Sequence, residues 1–290
     1  MKLDLLRFWY SVDGALPSAE EVETAGTWAE FHQIIWTNLP ENAWDGLLNF
    51  PHTLKLYYHP AEIAQLIKEK SIKPQFIKDV WQFSAGARDC IYADWDFLLI
   101  NRALLPTGSN WLGTEVVRTT SERGGRFCPT ICVEKGVRAH LGISRFDADS
   151  AVADSIEAAL LENLSCLDGV GKEHPKWISN TLLAQERLGK DNFVLPLVVN
   201  PFPHFMRKVH FGGSLYNSPL PTFAQLQSSC ACMSLWHGFL FPGKELKDLF
   251  ARESNQSDMN DLRVVKQCAA VLKDSGIKLP CFMKSEPVVK

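Results

Sequence analysis

An α/β fold with a mostly parallel central sheet flanked by helices is the class this sequence predicts, and three observations point to it. Short β-branched and aromatic runs alternate with segments whose apolar residues recur at helical spacing. No internal repeat or Ser/Gly linker interrupts that alternation. The 290 residues are 46% hydrophobic and 22% charged, enough to bury a sizeable core. The expected division is an α/β core over residues 1–222, with a helical C-terminal portion, 223–290, packed on it within one domain.

The elements follow in order. Residues 3–10 and 32–36 read as strands, and TLKLYY at 53–58 is a better one. HPAEIAQLIKEK follows at once, with Pro60 suited to a first helical turn and Ile63, Leu66 and Ile67 on one face. PQFIKDVWQF, 74–83, is a second helix, broken by SAGAR. Residues 90–93 form a strand, as does GVRAHLGISRF at 136–146. SAVADSIEAALLENL then makes a strong helix capped by Ser150 or Asp149. Pro196 demotes FVLPLVV, 193–199, to an edge or irregular strand. The Pro-rich stretch 200–221 reads as loop, and two late helices are expected around 223–236 and 258–275.

The bulk charge excludes several functions. A formal charge of −3 and a pI near 6.2 offer no basic face for nucleic acid or an anionic membrane. No apolar run approaches twenty residues, so no transmembrane segment is expected. MKLDLLRFWY lacks the pattern of a secretory leader, and eight cysteines without one predict reduced thiols in a cytoplasmic protein. Cys128/Cys132 and Cys230/Cys232 lack the two-residue knuckle spacing of zinc sites and read as small buried hydrophobes.

The stretch RDCIYADWDFLLI, 88–100, carries the chemistry. Two acids one residue apart, Asp94 and Asp96, stand at the exit of an apolar strand. At the C-terminal edge of a parallel sheet such a pair lies where open α/β folds bind ligands. Hard oxygen ligands there suit Mn²⁺ or Mg²⁺, and the metal would supply the charge that burial otherwise forbids. The plain alternative is a helix cap or an exposed turn.

The ordered segments FHQIIWTNLPENAW (31–44), LKLYYHP (54–60), FIKDVWQFSAGARDC (76–90) and IYADWDFLL (91–99) resemble the GT-A-type glycosyltransferases with an Asp-x-Asp sugar-binding region. Three departures stand out: an extra Ile inside the His-Gln-Ile-Trp pattern, no Gly-Gly before the strand, and Arg88 placed before Asp89. The resemblance implies a Rossmann-related core and a metal-dependent transferase moving a sugar from a nucleoside-diphosphate donor to an unidentified acceptor. It implies Asp96 and Asp94 at the metal, with Asp94, Arg88 and Asp89 touching the donor and Trp36 beside the nucleotide base. It also implies a histidine ligand from the C-terminal half: His210 in KVHFGGSLYNSPLP, or His237 in LWHGF.

Other features compete. Asp147 and Asp149 in SRFDADSAV form a rival acidic pair, although acids before a helix are favoured by capping alone. RGGRFCP, 123–129, is a basic, Gly-rich loop, and Cys128 within it is a poor nucleophile. No general base stands out. A non-catalytic α/β interaction protein, or a haem enzyme with His210 or His237 as axial ligand, are the alternative readings.

Overall fold

The computed structural model describes residues 3–70, 74–116 and 137–165, together with 180, 183–184, 186–188, 198–199, 224, 227–228 and 231–234. Their strands are β1 (Leu5–Trp9), β2 (Gln33–Thr37), β3 (His52–Leu56), β4 (Ile91–Ala93), β5 (Phe97–Leu99), β6 (Trp111–Val116), β7 (Val137–Arg145), β8 (Val198–Val199) and β9 (Cys232–Ser234). The helices are α1 (Ala19–Gly26), α2 (Ala61–Lys70), α3 (Pro74–Trp81) and α4 (Ala151–Ser165). Among the described residues the strands form one sheet in the order β3-β2-β1-β4-β7-β6-β8-β9-β5.

The half formed by β3, β2, β1 and β4 is parallel throughout. Its neighbour β7 runs antiparallel to both β4 and β6, and β5 is antiparallel to β9. The chain therefore winds outward from β1 through β2 to β3, then returns to place β4 on the other side of β1. The C-terminal ends of β1 and β4 flank the point where strand order reverses.

Alternation along β1 divides the core between two faces. Leu6 and Phe8 pack against α3 and α4 through Ile77, Val80, Trp81, Ile156 and Leu160. Leu5 joins Trp28, Phe31, Ile91 and Phe97 on the opposite face. There Val22 and Ala25 of α1 also meet Ile35, Trp44 and Trp95. Helices thus cover both faces, as a parallel sheet requires.

Local chemistry sets the helix starts. Ser18 caps α1: its hydroxyl accepts from the Glu21 amide, and the Glu21 carboxylate accepts from the Ser18 amide, a complete capping box. Ser150 caps α4 by accepting from the Ala153 amide at 3.2 Å, which resolves the choice between Ser150 and Asp149. Two expectations are corrected. Residues 232–234 are a strand, not part of a helix, because Cys232, Met233 and Ser234 pair with β5 inside the sheet. Residues 198–199 are not at an edge, since β8 lies between β6 and β9 and pairs with both. Among the described residues no helix is long and apolar enough to cross a membrane.

Candidate active site at the C-terminal edge of the parallel strands

Asp94 and Asp96 lie where β4 ends, in a turn closed by the Phe97 amide donating to the Asp94 carbonyl at 3.2 Å. The backbone is held from both sides. Asp94 N–H donates to the Gly142 carbonyl of β7 at 2.8 Å. From β1, Arg7 Nη1 donates to the carbonyls of Asp94 and Ala93 at 2.7 and 3.3 Å. Trp95 points into the core, where its Nε1 donates to the Phe8 carbonyl at 3.1 Å. Its ring stacks on Trp44 and lies under the Arg7 guanidinium. One buried indole therefore anchors a turn whose flanking carboxylates are both only partly buried.

Arg7 breaks the apolar pattern of β1 and is fully buried. Burial pulls its guanidinium down to about 10, against the opposing pull of Tyr92, Asp94 and Asp96, so it stays cationic at neutral pH. Its Nε donates to Gln33 Oε1 at 2.6 Å, and Gln33 Nε2 in turn donates to the Ala25 carbonyl. The chain α1–Gln33–Arg7–Asp94 fixes the turn from beneath.

On the α3 face the Asp94 carboxylate has both oxygens engaged. Lys78 Nζ lies 3.0 Å from Oδ2, and the Tyr92 hydroxyl donates to Oδ1 at 2.5 Å. Lys78 also lies 3.1 Å from Asp79 Oδ1, whose other oxygen accepts from Asn180 Nδ2 at 3.2 Å. Burial pulls the Lys78 ammonium down, but Asp94 and Asp79 outweigh it and hold it above the ordinary lysine range. Burial also pushes Asp79 up against the pull of Lys78. The Tyr92 phenol is raised well above its usual value by burial and then by Asp94. The turn is tight on its third side: a Cβ on Gly142 would sit 2.9 Å from Asp94 Oδ2 and 2.4 Å from the Phe97 ring.

Asp96 Oδ2 accepts from Ser234 Oγ at 3.3 Å, which ties it to β9. His140 on β7 reaches the same edge. Its Nδ1 meets the Gly142 amide at 3.0 Å, and its ring lies edge-on to Phe97 at 5.1 Å. Trp36 stands beside Phe8 in the β1–β2 register, half-buried among Tyr57 and Trp81. The Trp36 Nε1 and both ring nitrogens of His59 are buried there without a hydrogen-bond partner.

Arg88 and Asp89 are not brought to this edge, which corrects their expected place beside the donor-binding acids. They precede β4 and so lie at its opposite end. Arg88 donates twice to the Phe83 carbonyl, once to the Ala148 carbonyl, and to Asp154 Oδ1 at 2.5 Å. Asp89 adopts φ +63° and accepts from the Ala148 amide at 3.0 Å. An Asp is tolerated in the left-handed region better than most residues.

Asp147 and Asp149 share that far edge, because β7 runs antiparallel to β4. Asp147 Oδ2 accepts from Asn110 Nδ2 at 2.9 Å, and Asp149 is exposed. The rival pair is thus a turn leading into α4, remote from Asp94 and Asp96. His210, His237, Cys128 and RGGRFCP lie outside the described residues.

The residues present do not fit Asp94 as a metal ligand. Its two oxygens already face an ammonium and a phenol, and no three His, Cys, Asp or Glu side chains cluster among the described residues. Sequence reasoning passed over Arg7, Lys78, Tyr92 and Ser234, although FIKDVW did place a Lys-Asp pair on the helix before the acidic strand.

No family model matches the chain, and no curated protein matches it. A solved structure, the PaToxG glycosyltransferase, is similar over 91% of this chain and 85% of that one, at 11% identity and a TM-score of 0.40. At that level the likeness carries no argument about what this chain does.

Proposed function

We propose that this chain is a GT-A-like glycosyltransferase that moves a sugar from a nucleoside-diphosphate donor to an acceptor. One observation carries the reading: the Asp94–Trp95–Asp96 turn sits at the C-terminal end of β4, beside β1, where strand order reverses. Open α/β sheets bind ligands in the crevice outside such a reversal.

Within this reading the carboxylates of Asp94 and Asp96 accept hydrogen bonds from donor hydroxyls. Arg7 and Tyr92 keep the turn in one geometry, so little reorganisation accompanies binding. Trp36, half-buried beside Tyr57 and Trp81, offers part of its flat indole face to a nucleotide base.

The test is donor consumption. UDP-glucose, UDP-N-acetylglucosamine and GDP-mannose are each incubated with the chain, and released nucleoside diphosphate is measured. Release from one donor, abolished by Asp96→Asn, is the expected result. Release from none of them, or equal release by the variant, contradicts the reading.

A non-catalytic interaction role is favoured by a different observation. Leu56 and Tyr58 are 50% and 78% exposed at the end of β3, the outermost strand of the parallel half. Self-association that disappears with Tyr58→Lys, in a chain that consumes no donor, would support that reading instead.

A further inference from the structure

The Lys78 ammonium sits where the first acid of the pair would otherwise need an external cation. It touches Asp94 Oδ2 at 3.0 Å and Asp79 Oδ1 at 3.1 Å, with its side chain only 16% exposed. The other Asp94 oxygen takes the Tyr92 hydroxyl, and the Gly142 backbone closes in from β7. A divalent ion could reach Asp94 only by displacing Lys78 or by resting beside a fixed positive charge. Both routes are unfavourable, because like charges repel strongly in a partly desolvated site.

We infer that Lys78 is the resident counter-ion of the Asp94–Trp95–Asp96 turn, that it withdraws Asp94 from metal coordination, and that the site takes its ligand without a divalent cation. Lys78 is a positioning residue: it acts by holding Asp94 as a hydrogen-bond acceptor of fixed direction. Asp79, its other oxygen held by the Asn180 amide, grips the ammonium from behind. The inference rests on the same turn as the proposed function, and its test reads the cation alone.

Mn²⁺ is titrated into the full chain and followed by the electron paramagnetic resonance of the free ion. Wild type is expected to hold no Mn²⁺ in the micromolar range. Lys78→Met should gain affinity by ~10-fold or more, the scale on which groups around a ligand set alter metal binding. Adding Asp94→Asn to Lys78→Met should abolish the gain, and Lys78→Arg, which keeps the charge, should behave as wild type. Micromolar Mn²⁺ binding by wild type that either Asp94→Asn or Asp96→Asn removes would overturn the inference, as would a folded Lys78→Met with no gain. If Lys78→Met fails to fold, the wild-type titration decides: micromolar binding lost in Asp94→Asn or Asp96→Asn overturns the inference, and absence of binding supports it. UDP and GDP are titrated separately in EDTA. If neither binds while the Mn²⁺ results hold, sugar transfer fails and the role of Lys78 stands.

Discussion

The two ends of β4 carry similar residues and use them in opposite ways. At its N-terminal end Arg88, Asp89 and Asp147 bond across the fold, to the Phe83 and Ala148 backbone and to the Asn110 side chain. Arg88 joins the Phe83 carbonyl after α3 to Asp154 near the start of α4. Asp89 accepts from the Ala148 amide, and Asp147 accepts from the Asn110 side-chain amide. At the C-terminal end Asp94 meets Lys78, and β1 holds the turn through both its backbone and the Trp95 indole. One edge therefore stitches the fold and the other keeps carboxylates at the sheet's mouth. A motif read as a string merges the two, although the three residues of β4, about 10 Å of extended chain, put them at opposite edges of the sheet.

The sharpest way to break this contrast is a pair of charge-neutral substitutions, one per edge. Asp96→Asn is expected to lower donor turnover by ~10²-fold or more, the scale of removing one preorganised polar group from a reacting site. Its melting temperature should stay close to wild type. Asp149→Asn, on an exposed far-edge residue, should change neither quantity. Equal losses in both variants would erase the distinction.

Stability is tested next, at the base of the turn. Arg7→Met should cost about 3–5 kcal/mol in urea unfolding, since Gln33 and two carbonyls lose a buried, charged partner. Arg88→Lys should cost about 1–3 kcal/mol, because an ammonium cannot serve the forked set of acceptors around the guanidinium. Donor binding per folded molecule should remain intact in Arg88→Lys. A loss of donor affinity there without loss of stability would return Arg88 to the site.

A smaller effect concerns the left-handed residue that precedes β4. Asp89→Gly should be nearly neutral, since relief at φ +63° offsets the lost bond to the Ala148 amide. Asp89→Val should cost about 2–3 kcal/mol, combining left-handed strain with that lost bond. The difference in urea midpoints between the two variants is the measurement.

The smallest effect concerns pH. Burial, with help from Asp4 and Asp89, pushes the Cys90 thiol up to about 11. A raised folded value means its contribution to stability is complete below the unfolded thiol value of ~8.5 and is lost as pH rises through about 11. The wild-type stability curve minus that of Cys90→Ala should slope downward only in that window. Iodoacetamide should label the Cys90 peptide slowly at pH 8 in native protein and quickly in urea.

Much of the fold was legible because its signals are local. Strands β1 to β4, β7 and helices α2 to α4 follow from alternation and helical spacing, with ends shifted by one or two residues. Helix α1 carried a readable signal that was passed over, Ser18 followed by Glu21 three residues later. Strand β9 was not legible, because three residues paired with β5 from far along the chain leave no period of their own. The acidic turn was found from the sequence, but its partners were not. Lys78 is sixteen residues from Asp94 and Arg7 is eighty-seven, and only the packing of α3 and β1 against β4 brings them together.

Thermal unfolding in EDTA, with and without UDP or GDP, for wild type and Asp96→Asn, tests the central claim most directly. A nucleotide that binds the crevice outside β1 and β4 stabilises the folded chain by mass action. One of the two should raise the wild-type melting temperature without any divalent cation, and it should leave Asp96→Asn unmoved. No shift with either nucleotide, or the same shift in both proteins, would contradict the placement of a donor site at this turn.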